Sequence, residues 1–323
     1  MSTGNIQDTS VNFEKKLRGY LFGTACADAL GRPVEHLTLE QIQKKYGAKG
    51  ILEVEPSASW TDDTQLMLVI ARSLLRGAEC EISELMEYIA QELVLWLDEP
   101  DLGAGPTSRG AALRLKDGIH WSKSGIKSKT CGSLMRVGII VFIYRNNPEK
   151  LIKAALFSGR ITHSHPVLDA ASIAGAYAVK LALDGINPEE MFESLHGVTE
   201  GISQEFTDAL KNSYQIVYSG LGDEEALKKL GQGWYADETF ALAYFCILRY
   251  PKDYKKAVQT AVNITGDSDS VGSVAGGILG AKLGIEEVPA SWTEALKEKE
   301  KLEEMVKPSL EKYFQISDNK KRS

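Results

Sequence analysis

Cysteine is scarce in this chain, and the patterns that make cysteine and histidine informative are missing. The four cysteines among 323 residues, Cys26, Cys80, Cys131 and Cys246, form no C-x-x-C pair, and the five histidines include no H-E-x-x-H. A disulfide framework and a Cys/His zinc site therefore have no support. Long apolar runs are missing too. No stretch reaches the ~18 apolar residues that a membrane span needs. The opening MSTGNIQDTSVNFEKK lacks the apolar core of a signal peptide. The expectation is a soluble, cytoplasmic protein with no membrane association. Positive charge is in deficit: 37 Lys and Arg against 44 Asp and Glu give a formal net charge of −7. With no concentrated basic face, nucleic-acid binding is not expected, and a phosphate-bearing ligand would need local geometry or metal to hold it.

What the chain does have is helical periodicity. Hydrophobic residues at 43% and charged residues at 25% are ordinary for a globular chain with a sizeable core. Leu66, Ile70 and Leu74 recur at four-residue steps, as do Leu85, Ile89, Leu93 and Leu97 after Ser83, which reads as an N-cap. Segments 133–145, 149–158, 166–184, 203–218, 236–249 and 253–264 also read as helices. Strand signals are few; ILEVEP at 51–56 is too short to found a sheet, though long enough for a hairpin or an isolated strand. The strongest loop is 98–110, and the charge-rich 294–313 reads as an exposed helix. The fold class is all-α. Without linkers or low-complexity blocks, one domain is expected over 17–315, between a flexible segment 1–16 and a tail 316–323, as a monomer. Segment 271–284, VGSVAGGILGAKLG, has more glycine than an ordinary helix tolerates. Close helix–helix approach and backbone brought near a ligand both account for it.

Two acidic clusters carry the chemistry. Thr61-Asp62-Asp63-Thr64 precedes an amphipathic helix, and Asp267-Ser268-Asp269-Ser270 precedes the small-residue helix. Either alone serves as a helix cap. A cap needs one oxygen, however, and each cluster offers two carboxylates with neighbouring hydroxyls. That donor set suits Mg²⁺ or Mn²⁺. Four carboxylates in one place repel one another, and two divalent cations ~3.5–4 Å apart would neutralise them. Such a site requires both ends of the chain to share one core.

In this order the motifs resemble those of the ADP-ribosylglycohydrolase family, over about residues 17 to 290. Gly23 to Glu35, GTACADALGRPVE, resembles the family's GDALG-x-P-x-E signature, with Ala27 where glycine is usual. Thr61 to Thr64 and Asp267 to Ser270 match its two metal motifs. The resemblance implies an orthogonal helical bundle around a binuclear cleft. Thr61, Asp62, Asp63, Asp267, Asp269 and Ser270 would be ligands to two divalent cations, Mg²⁺ or Mn²⁺, with Asp269 bridging. Glu35 would act in catalysis with Asp62 and Asp269, whereas Asp28 reads as structural. Thr130 to Arg136, TCGSLMR, resembles the family's G-N-G-x-x-M-R, departing at Thr130 and Cys131. It places Cys131, Gly132, Ser133 and Met135 at the ligand, the Gly132-Ser133 step opening a helix toward phosphate. No histidine adjoins Cys131 in sequence to make it a nucleophile. His163 resembles a residue lining the ribose site, and Asp101 and Gly103 the loop beside the leaving group; a plain turn is the other reading of Asp101. The implied activity is hydrolysis of the glycosidic bond between ADP-ribose and a protein or small-molecule target. Another two-metal nucleotide hydrolase and a non-enzymatic, crystallin-like relative are the alternatives.

Overall fold

The computed structural model describes the backbone of residues 3–322 and the side chains of residues 11–316. Among the described residues all regular elements are helices, as the periodicity predicts. Extended pairing is limited to the isolated bridges Ala58–Leu296, Ile126–His163 and Thr130–Tyr235. The segment 51–56 forms no strand; Asn263 instead grips Ile51, accepting from its N–H and donating to its carbonyl, both at 2.8 Å. Helices Asp62–Gly77, Pro148–Arg160, Pro166–Leu183, Gln204–Val217, Ala236–Arg249 and Tyr254–Val262 lie where the sequence places them. Helix Ile82–Trp96 begins earlier than expected: Glu81 is its N-cap, and Ser83 falls inside its first turn.

The expected helix over 133–145 does not form. Residues 132–137 are turns, followed by a 3₁₀ turn Gly138–Ile140 and one helical turn Val141–Tyr144. The cause is Arg136, which is drawn fully inside. Its guanidinium donates to the carbonyls of Gly132 (3.4 Å) and Ser158 (2.9 Å) and to the Thr162 hydroxyl (2.7 Å). The Gly132 carbonyl thus faces a side chain rather than the amide four residues on. The loop expected over 98–110 is shorter, because Pro106 opens a helix, Pro106–Lys116.

The charge-rich C-terminal stretch is divided between Ala290–Ala295 and Lys299–Arg322. The second helix is amphipathic rather than exposed, burying Leu302 and Val306. Of the flexible ends expected at 1–16 and 316–323, residues 1, 2 and 323 and the side chains of 3–10 and 317–322 lie outside the described residues. Residues 11–16 continue the helix Thr3–Gly31, where Phe13 stacks on Tyr313 with ring centroids 4.2 Å apart.

A seam of small residues sets the frame for the site. Helix Thr3–Gly31 presents Gly19, Gly23, Ala27 and Gly31, one per turn, to Gly280, Gly276, Gly272 and Asp269 of helix Ser268–Leu283. A Cβ on Gly23 would stand 2.6 Å from the Gly276 carbonyl oxygen, and one on Gly31 would stand 2.5 Å from the Asp269 nitrogen. Close packing is therefore the reason for the glycines of 271–284. The antiparallel crossing brings the C-terminal end of one helix against the N-terminal end of the other. It places the Arg32–Val34 turn and Glu35 beside Asp267 and Asp269.

Candidate metal centre and active-site cavity

Both acidic clusters sit at helix starts, and each start is fixed from outside. Fully buried Asp28 reaches out of the first helix and accepts from the Thr61 N–H (2.9 Å), the Thr64 N–H (3.1 Å) and the Thr64 hydroxyl (2.6 Å). It holds the Asp62 helix by its unsatisfied amides, the structural part that the sequence assigns it. The Thr61 hydroxyl caps the same helix, accepting from the Asp63 N–H at 3.2 Å. Asp267 caps the Ser268 helix through the Ser270 N–H at 3.4 Å. The Ser273 hydroxyl then donates to Asp63 at 3.2 Å. So the two clusters meet, as a shared core requires.

Between them lies a cavity of about 260 Å³. Glu35, Asp62, Asp63, Asp267, Asp269 and Ser270 line it, together with Gly103, Cys131, Gly132, Met135 and His163. Oxygens of Glu35, Asp267 and Asp269 lie within 4.8 Å of one another. Among the described residues no lysine or arginine lines the cavity. Burial raises every one of these carboxylic acids above its ordinary range. Asp62 rises to about 7, with neighbouring charges from Asp28, Glu35 and Asp267 adding to burial. One oxygen of Asp269, Oδ1, is buried without any hydrogen-bond partner. A crowded set of hard oxygen donors with an unpartnered carboxylate oxygen fits divalent cations, which would supply the missing positive charge.

The lining around His163 is ordered by a chain of hydrogen bonds running inward. Thr162 accepts from Arg136 and lies 2.8 Å from His163 Nδ1, against 3.3 Å from the Gly159 carbonyl. Its one proton is directed to the nearer partner, so Nδ1 accepts and Nε2 carries the hydrogen toward Thr130, at 3.2 Å. Burial, with the Arg136 charge beside it, pushes the His163 pKa down to about 3, so the ring is neutral. The Nε2–H is therefore held against the Thr130 hydroxyl at the cavity lining.

Three sequence assignments are placed differently. Ser133 is fully buried and bonds Ser172 at 3.1 Å, away from the cavity; without a helix at 133, the phosphate cradle expected at its N-terminus is not formed. Asp101 is exposed and holds its own turn, accepting from the Gly103 and Ala104 N–H groups at 3.1 and 3.0 Å. Thr61 stands behind the wall, its hydroxyl used as a cap.

Two rim residues were not singled out from the sequence. Trp234 stacks on His36, ring centroids 4.8 Å apart, and His36 holds Glu35 at 3.0 Å. His36 adopts φ 65°, a left-handed conformation costly for a residue with a Cβ. Trp234 does carry a signal, because it follows two glycines at positive φ, Gly231 and Gly233, in a tight GQGW segment. Nothing local marks His36.

A profile of the ADP-ribosylglycohydrolase family matches residues 9–320. The chain is 32% identical over 309 residues to a protein of Archaeoglobus fulgidus, covering 94% of this chain and 98% of that one. It is 27% identical to the ADP-ribosylhydrolase ARH3 of Mus musculus, with 94% and 92% covered. It is 25% identical to the ADP-ribosyl-[dinitrogen reductase] glycohydrolase of Rhodospirillum rubrum, with 89% and 92% covered. A solved structure described as an ADP-ribosylglycohydrolase-related protein complex superposes with a TM-score of 0.72 at 26% identity, covering 94% of this chain and 99% of that one.

Proposed function

The chain belongs to the ADP-ribosylglycohydrolase family, and from that premise we propose that it is a metal-dependent hydrolase that cuts the glycosidic bond between ADP-ribose and a modified protein side chain or small molecule. The observation that carries this reading is the convergence of five carboxylates, Glu35, Asp62, Asp63, Asp267 and Asp269, on one cavity that no lysine or arginine neutralises among the described residues. The relatives named for hydrolysis of ADP-ribose linkages support the substrate class.

Asp62, Asp63, Asp267, Asp269 and the Ser270 hydroxyl would hold two divalent cations, Mg²⁺ or Mn²⁺. Such cations, when bound, polarise ligand hydroxyls and lower the pKa of water. The remaining work falls to the chain. Glycosidic cleavage passes through an oxocarbenium-like state and needs a proton delivered to the leaving atom and one removed from water. Glu35 is half-buried, and burial raises its pKa above the ordinary carboxylate range, which suits it to proton exchange with the leaving group or water. The neutral His163, held by Thr130 and Thr162, and Gly132, which leaves room for close approach beside Ser108 and His163, shape the cavity for the ligand. The Gly105 N–H lies 3.4 Å from Asp62 and ties the loop before Pro106 to the centre. That loop borders the leaving-group side, where selectivity among arginine, serine and small-molecule linkages would reside.

The test is mass spectrometry of products from a panel of Arg-, Ser- and small-molecule-linked ADP-ribose, with and without chelator. Intact ADP-ribose, lost on chelation, is expected. AMP with ribose-5-phosphate would make the protein a phosphohydrolase. No turnover on any metal-replete substrate would remove the enzymatic reading.

A further inference from the structure

We propose that Cys131 adds a sulfur donor to the carboxylate centre, so that this chain binds thiophilic divalent cations, Zn²⁺, Cd²⁺ and Co²⁺, more tightly than it would with the asparagine usual at this place in the family. The inference rests on the reading that the carboxylates hold a divalent cation, and extends it to which cation they accept. Buried Cys131 donates its S–H to Asp267 Oδ2 at 3.0 Å, and its sulfur lies 3.6 Å from the Ser270 hydroxyl. Donors sharing one cation, at ~2.3 Å for sulfur and ~2.0 Å for oxygen, stand ~3.0 Å apart at a right angle and ~3.5 Å apart in a tetrahedron. The thiol is thus already where joint ligation with Asp267 requires it.

A second observation points the same way. Asp269 Oδ1 is buried and unpartnered, and oxygens of Glu35, Asp267 and Asp269 cluster within 4.8 Å. At the edge of that cluster the Cys131 sulfur stands beside Asp267 and Ser270, pairing a soft donor with hard oxygens, a combination that Zn²⁺ takes more readily than Mg²⁺ does. On binding, the S–H bond is exchanged for a sulfur–metal bond and the proton leaves to solvent; no electron is transferred. Cys26, Cys80 and Cys246 line no part of the cavity, so the effect belongs to Cys131.

The full-length protein, stripped by chelator, is titrated with Cd²⁺ and Co²⁺ and read by ultraviolet thiolate-to-metal charge transfer. Mn²⁺ binding is followed in parallel by loss of the free-ion EPR signal. Wild type and Cys80→Ser should show the charge-transfer band; Cys131→Asn and Cys131→Ser should lack it. Their Cd²⁺ affinity should fall about tenfold or more while Mn²⁺ affinity changes by less than about twofold. A wild-type protein that binds Mn²⁺ and Cd²⁺ without the band overturns the inference and leaves the oxygen-donor centre standing. A protein that binds none of these cations overturns both. The wild-type and Cys80→Ser spectra decide the matter even if the Cys131 variants fail to fold.

Discussion

At Asp269 two facts meet: an oxygen without a partner, and an ionisation opposed first by burial and then by like charges on Asp267, Asp63 and Glu35. Asp269→Asn relieves that repulsion and removes a donor. The variant should lose turnover by at least about a hundredfold and lose the Mn²⁺-dependent rise in Tm, while its metal-free Tm rises. Full activity would refute the metal reading. Thr162 makes a separate point about how a donor is aimed. Thr162→Val strips the acceptor from a buried guanidinium N–H, so the protein should lose about 1–3 kcal/mol. It also frees His163 Nδ1, so ¹⁵N NMR of the imidazole should show the Nε2–H tautomer giving way to a mixture, with Thr162→Ser restoring it. An unchanged spectrum would show that Thr162 does not set the tautomer. The two acidic clusters were legible in sequence because each is contiguous. The Asp28 bonds, the turned-away Ser133 and the His36–Trp234 stack were not, since each depends on partners 33, 39 and 198 positions away.

The elements divide in the same way. Amphipathic helices such as Gln204–Val217 were readable because one face alone decides their burial. The segment after Gly132 was not, because a buried arginine redirects its backbone against the apolar pattern of 133–145. The glycine seam was visible as composition, but its partner helix was not. It yields a paired prediction. Gly197 lies in helix Pro188–Thr199 with open space around it, so Gly197→Ala should stabilise by about 0.5–1 kcal/mol. Gly276→Ala should instead cost about 1–3 kcal/mol, since its Cβ would press on Gly23 and on the Ala27 side chain. Urea unfolding midpoints measure both; equal shifts would mean that the helices separate without cost.

For the molecule as a whole, the crowded carboxylates couple folding to protons and cations. Asp28 rises to about 6 and Asp62 to about 7 in the folded protein, against ~3.9 for an unfolded aspartate. Between these limits the metal-free folded state binds more protons than the unfolded one. Its stability is therefore greatest at the acid end of the window and falls as pH rises through the folded values. Calorimetry under chelator should show Tm rising as pH drops from about 8 to about 5, and the added stabilisation by Mn²⁺ should shrink over the same range as protons displace the ion. A pH-independent Tm would mean that the acids are not raised. Ala27, standing where glycine is usual, also matters at this scale. A ladder of small residues with one rung per turn is self-similar, and such a ladder can mesh one notch out of step. A slip of one turn, about 5.4 Å, would keep Gly19 and Gly23 against glycines while carrying Glu35 away from Asp269 and Lys15 to the place of Gly19. It would also bring Ala27 to the place of Gly31, where a Cβ collides with the Asp269 backbone. The methyl of Ala27 thus works with the Lys15 side chain as an index mark against that slip, favouring the meshing in which the centre is assembled.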